Sequence, residues 1–136
     1  MEQRDYLMKQ IDLLGVVLAT IMAKLLGIKQ GQENIILEEV KQNLIADLQI
    51  DFDNITSISD DDFINLLNEK KIGNDNIEQF ANILLLMTEE LSRNDIDNKY
   101  KKMYTKCLAI YRYLNKSEST YSFERHSKIE KIEKKL

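Results

Sequence analysis

Chemistry in this chain has to come from a short list of side chains. Asp51, Asp53, Ser57, Ser59 and Asp62 fall at positions 1, 3, 7, 9 and 12 of a calcium-loop spacing. The match ends at Ile55, which has no side-chain oxygen, at Thr56 where the turn glycine belongs, and at Asp62, shorter than the usual glutamate. The stretch reads better as a solvated loop running into a helix start, because Ser59 to Asp62 is a Ser-x-x-acid capping pattern. His126 is the single histidine, so a two-histidine zinc site or a Glu-x-x-His di-iron pair cannot be assembled within one chain. Cys107 falls on an apolar helical stripe, where a thiol acts as a small hydrophobe rather than a nucleophile.

Lys99, Lys101, Lys102, Lys106, Arg112 and Lys116 interleave with Tyr100, Tyr104, Tyr111 and Tyr113, a mixture suited to phosphate contact and base stacking. Tyr100, Tyr104, Cys107, Tyr111 and Leu114 also share one helical face, so inward rings flanked by solvated lysines explain the same pattern. The segment Gly27-Ile-Lys-Gln-Gly31 lacks the spacing of a phosphate loop, and no Gly-x-Ser-x-Gly elbow occurs. The expectation is a chain without catalytic residues, cofactor or metal.

The elements that hold these residues follow from composition and periodicity. With 136 residues, 43% hydrophobic and 31% charged, the chain can bury one core and is not a disordered composition. It contains no proline and four glycines, so long helices with polar joints are expected. Leu7, Ile11, Leu14, Leu18, Ile21, Leu25 and Ile28 alternate by four and three residues, which predicts a helix over 3–28. Val16, Val17, Ala19, Met22, Ala23 and Leu26 make it apolar on other faces too, which is expected of the central post of the fold. Ile36, Val40, Leu44 and Leu48 predict an amphipathic helix over 33–48, residues 49–59 an irregular connection, and Asp60 onward a short helix to about residue 70.

Helices over 75–92 and 95–114 are expected to form an antiparallel pair, the first through Ile77, Phe80, Leu84, Met87 and Leu91. The second carries Ile96, Tyr100, Met103, Cys107 and Ile110. A marginal helix closes the chain, having only Ile129, Ile132 and Leu136 as apolar anchors. The expected layout is all-α: a bundle of five helices over 1–115 and a charged tail helix over 116–136.

Charge is unevenly shared. Residues 1–68 hold 5 Lys+Arg against 12 Asp+Glu, and residues 69–136 hold 14 against 11, within a net charge of −4. Nucleic acid is repelled by such a chain unless a local basic patch forms. A lone cysteine fits a reducing cytoplasm. The uncharged apolar run Leu13 to Ala23 is short of the roughly 20 residues that cross a bilayer, so no membrane partner is expected. Glu2 and Asp5 offset Arg4 and Lys9, against a secretory leader.

Residues 84–111 resemble one degenerate tetratricopeptide-type hairpin, through Tyr104, Cys107, Leu108 and Tyr111 in its second helix. Thr88, Tyr100 and Arg112 depart from that pattern, and a repeat surface needs about three units. Across most of its length the chain also resembles an uncharacterised family of small bacterial helical proteins. The matching residues are Asp5-Tyr6-Leu7-Met8, Leu26-Gly27 and Ser57 to Ile64. That resemblance implies the helical layout and no activity. The functional expectation is a domain that binds another protein or a second copy of itself, with Leu14, Leu18, Ile21, Tyr104 and Tyr111 as its surface. Weak nucleic-acid contact through the fifth helix and a small ligand-binding bundle are the rivals.

Overall fold

A computed structural model describes residues 2–93 and 100–136. Among them lie six α-helices, one 3-10 helix and no strand: α1 Glu2–Leu26, α2 Glu33–Leu48, the 3-10 helix Phe52–Ser57, α3 Asp60–Glu69, α4 Asn74–Ser92, α5 Lys101–Ser117 and α6 Phe123–Glu133. The all-helical class agrees with the periodicity. Ile96, expected near the start of the fifth helix, lies outside the described residues, as does Lys99 of the expected basic patch.

The joints use backbone chemistry that the chain carries locally. Gly31 and Gly73 take φ of 90° and 88°, where a Cβ would be strained. Gln49 closes α2 in the left-handed region, donating its N–H to Ile45 O at 3.0 Å while Ile50 N reaches back to Leu44 O. Ser59 caps α3, its Oγ accepting from Asp62 N at 3.1 Å, with Asp60, Asp61 and Asp62 in the first turn.

The central element is α4, not α1. It buries nine side chains, among them Phe80, Ile83, Leu84 and Met87, and packs on α1 and α5. The pairing with α5 is antiparallel: Asn74 meets Ser117 at one end, Asn82 accepts from Tyr111 in the middle, and Ser92 meets Tyr104 at the other. By contrast, among its described side chains α1 has only Leu18, Ile21 and Leu25 fully inside, so the expectation of a central post is corrected. Its seam does face the core, but its amino-terminal half runs past the helices that would cover it, leaving Leu7 exposed and Ile11 and Leu14 half-buried.

The connection expected to be a solvated loop also contributes to the core. Ile50, Phe52 and Ile55 are buried, held there by the 3-10 helix. The tail is docked as well. α6 buries Ile129 and Ile132 with Arg125, and α5 continues to Ser117, across the boundary expected after residue 115.

Candidate functional site

The residues that resembled a calcium loop are engaged in local structure. Asp51 accepts from Asp53 N at 3.1 Å and Asn54 Nδ2 at 2.9 Å, and Ser57 Oγ donates to Asn54 O. Asp53 pairs with Lys41 Nζ at 3.1 Å. Burial works against the charged form of Lys41, but its bonds to Asp53 and Glu38 outweigh that and raise its pKa. No three His, Cys, Asp or Glu side chains converge on a common point among the described residues.

Cys107 is wholly buried, and that burial, with the Glu89 carboxylate nearby, pushes its thiol pKa up. Burial also raises Tyr111, together with the negative potential of the Glu78 and Glu89 carboxylates; its hydroxyl donates to Asn82 Oδ1 at 2.6 Å. The basic face of α5 is partly consumed within the chain. Lys106 is buried against Asp60, Arg112 lies 3.8 Å from Glu133, and Lys135 stands over the Tyr104 ring. Lys101, Lys102 and Lys116 remain exposed.

Of the five side chains expected to form an interaction surface, Leu18, Ile21, Tyr104 and Tyr111 lie in the core of the single chain. Leu14 is half-buried at the edge of a groove. The physical reason is that the regular seam of α1 and the tyrosine face of α5 are the faces that pack on α4. What stays uncovered is the other side of α1. Leu13 is 66% exposed, Val16 64% and Leu26 70%, with Ala19 and Ala23 between them on the solvent side. Thr20 hides its hydroxyl by donating to Val16 O at 2.9 Å, so this side offers little polarity at its middle. Within Gln3–Leu26 an 18-residue window reaches a mean hydropathy of 1.5 with 11% of it buried; by length and composition the helix is able to cross a bilayer.

Beside this face lies a groove of about 440 Å³, lined on α1 by Leu7, Leu13, Leu14 and Val17. Its other walls are Asp47 near the end of α2 and Lys70, Lys71 and Ile72 after α3. Two residues that sequence reasoning passed over set this geometry. Asn76, buried on α4, donates to Ile11 O at 2.9 Å and Ile72 O at 2.8 Å, tying α1 to the α3–α4 joint. Gly15 allows the approach, since a Cβ there would sit 3.3 Å from Asn76 Oδ1. The local signal was a glycine inside an apolar helix; Asn76, set among Asn74, Asp75 and Glu78 at a helix start, reads locally as one more polar residue.

A second groove of about 560 Å³, between α3 and α5, is lined by Asp60, Asp61, Ile64, Arg112, Tyr113 and Lys116. It mixes both signs of charge and brings no two carboxylates into a buried setting. The chain matches no protein-family model, no curated protein and no solved structure.

Proposed function

We propose that this chain is a non-catalytic interaction domain that docks a protein partner on the outer side of α1 and in the groove beside it. The observation that carries this reading is the row Leu13, Val16, Ala23 and Leu26, apolar and uncovered on a helix whose opposite side is anchored in the core. Contiguous apolar surface of this kind is what helix-in-groove recognition uses, with anchors recurring three and four residues apart. The antiparallel α4–α5 hairpin is the scaffold behind it, a single tetratricopeptide-like unit in a bundle of about five helices with a tail. A buried lone thiol suits work in a reducing cytoplasm.

The test is a photo-crosslinking residue placed at Leu13, with the same residue at the exposed Lys101 as control, in the cells that make the protein. A discrete protein adduct from position 13 and none from position 101 supports the reading; no adduct from position 13 ends it. The apolar window of α1 also favours a second reading, contact with a membrane. Vesicle flotation separates the two, since flotation that is lost on Leu13→Asp with Val16→Asp belongs to the membrane alone.

A further inference from the structure

We propose that the groove beside α1 receives α1 of a second copy of this chain in a two-fold contact, the acids of each helix meeting the lysines of the other copy's groove. This rests on the reading of α1 as a docking surface and names its partner. Asp5, Lys9 and Asp12 stand at i, i+4 and i+7 on α1, all exposed, giving a line that alternates acid, base, acid. The rim of the groove carries the opposite set, Lys70 and Lys71 at one wall and Asp47 at another.

These six charges share a property. Among the described residues none of them enters an ion pair within the chain, whereas Lys24, Lys41, Lys106 and Arg125 all do. Solvated charges are ordinary singly; here Asp47, Lys70 and Lys71 border an apolar floor, and the line Asp5, Lys9 and Asp12 on α1 is their complement in sign. A two-fold contact repeats every pairing, so Asp5 and Asp12 against the partner's Lys70 and Lys71 are satisfied twice, and so is Lys9 against the partner's Asp47. The apolar side chains supply the affinity, while the charges set register and encounter rate. The same acids disfavour an anionic membrane surface or nucleic acid as the occupant, because each would meet the phosphates with like charge.

The experiment is sedimentation equilibrium of the full chain at low salt, with circular dichroism checking that each variant stays folded. The wild type is expected to self-associate reversibly. Lys70→Glu with Lys71→Glu, and separately Asp5→Lys with Asp12→Lys, should each weaken association about tenfold or more, and an equimolar mixture of the two should recover most of it. Leu13→Lys should abolish it without unfolding the chain. A wild type that remains monomeric at the highest soluble concentration overturns the proposal, as does association that charge reversal leaves unchanged or mixing fails to restore. The failure of the broader reading is separate: a crosslink from position 13 to a different protein leaves α1 a docking surface while removing the second copy.

Discussion

Among the described side chains α1 and α6 bury the same number, three each, although α1 has 25 residues and α6 has 11. Hydropathy alone would rank them the other way, with α1 central and α6 loose. The difference lies in what holds each helix. α1 carries far more apolar surface than its neighbours α2 and α4 are placed to cover, and its fixed points are Leu18, Ile21, Leu25 and the Asn76 bridge. α6 lies against α5 and uses long polar side chains to reach α4. Arg125, 2% exposed, makes two bonds to Glu78, at 2.7 and 2.8 Å, and reaches Asn115 and Glu118 as well. Those bonds to Glu78 outweigh the burial of the guanidinium and raise its already high pKa, so it stays charged. Lys128 donates to Asn82, and Lys131 lies 3.0 Å from the Glu89 carboxylate. A helix with few apolar residues is thus fastened, and one rich in them is left partly open. Apolar content measures how much surface a helix offers for burial; neighbouring geometry decides how much is taken up.

The comparison breaks first within α1. Leu18→Ala should cost about 3 kcal/mol, the range for a large-to-small change in a closed core, read as a shift of the urea midpoint. A much smaller loss would mean α1 is not seated on α4 as described. For α6, Arg125→Ala should cost about 2–3 kcal/mol, somewhat less than a fully enclosed pair because Glu78 and Glu118 keep contact with water. It should also make the tail cleavable by trypsin at Lys128 or Lys131 under native conditions. Resistance equal to the wild type would show that Ile129 and Ile132 hold α6 without the arginine.

The interface that α6 helps to close also has a pH signature. The unfolded Cys107 thiol loses its proton near its ordinary 9.0 and Tyr111 near 10.0, while burial keeps both protonated in the folded chain. The native state then holds more protons than the unfolded one. The contribution of these two groups to stability should therefore be constant below pH 9 and fall above it, by about 1.4 kcal/mol per pH unit for Cys107 and by as much again once Tyr111 joins above pH 10. Cys107→Ala should remove the first part of that decline, and a flat profile up to pH 11 would contradict the burial of both groups. The smallest effect belongs to the open side: Leu13→Ala should change stability by less than about 0.5 kcal/mol, since no packing is lost. A large loss there would place Leu13 in a core.

The helices themselves were legible because their information is local. α2 matches its expected bounds, and α3 and α4 start or stop within a residue of theirs, because Ser59, Gly73 and the four-and-three spacing act over one or two turns. The connection 49–59 was harder to read. Gln49 takes a left-handed turn usually held by glycine, and that turn leads the chain into the position where Ile50, Phe52 and Ile55 become core. The uncovered side of α1 was half legible. The apolar excess of α1 marked the helix that keeps exposed apolar side chains, while Leu14, Leu18 and Ile21 belong to its regular seam, which packs inward, and Tyr104 and Tyr111 pack in the core from α5.

Composition and periodicity by themselves determined an all-helical chain with one apolar core, an antiparallel pair of late helices and a cysteine with no partner. Only the tertiary structure decided that α4 stands at the centre, that Arg125 fastens the tail, and that the uncovered side of α1 faces away from Leu18 and Ile21. The physical reason is range. Helix formation is settled among residues within about four positions of each other, whereas Arg125 and Glu78 are brought together across 47 positions and Asn76 and Ile11 across 65, by the folding of everything between them.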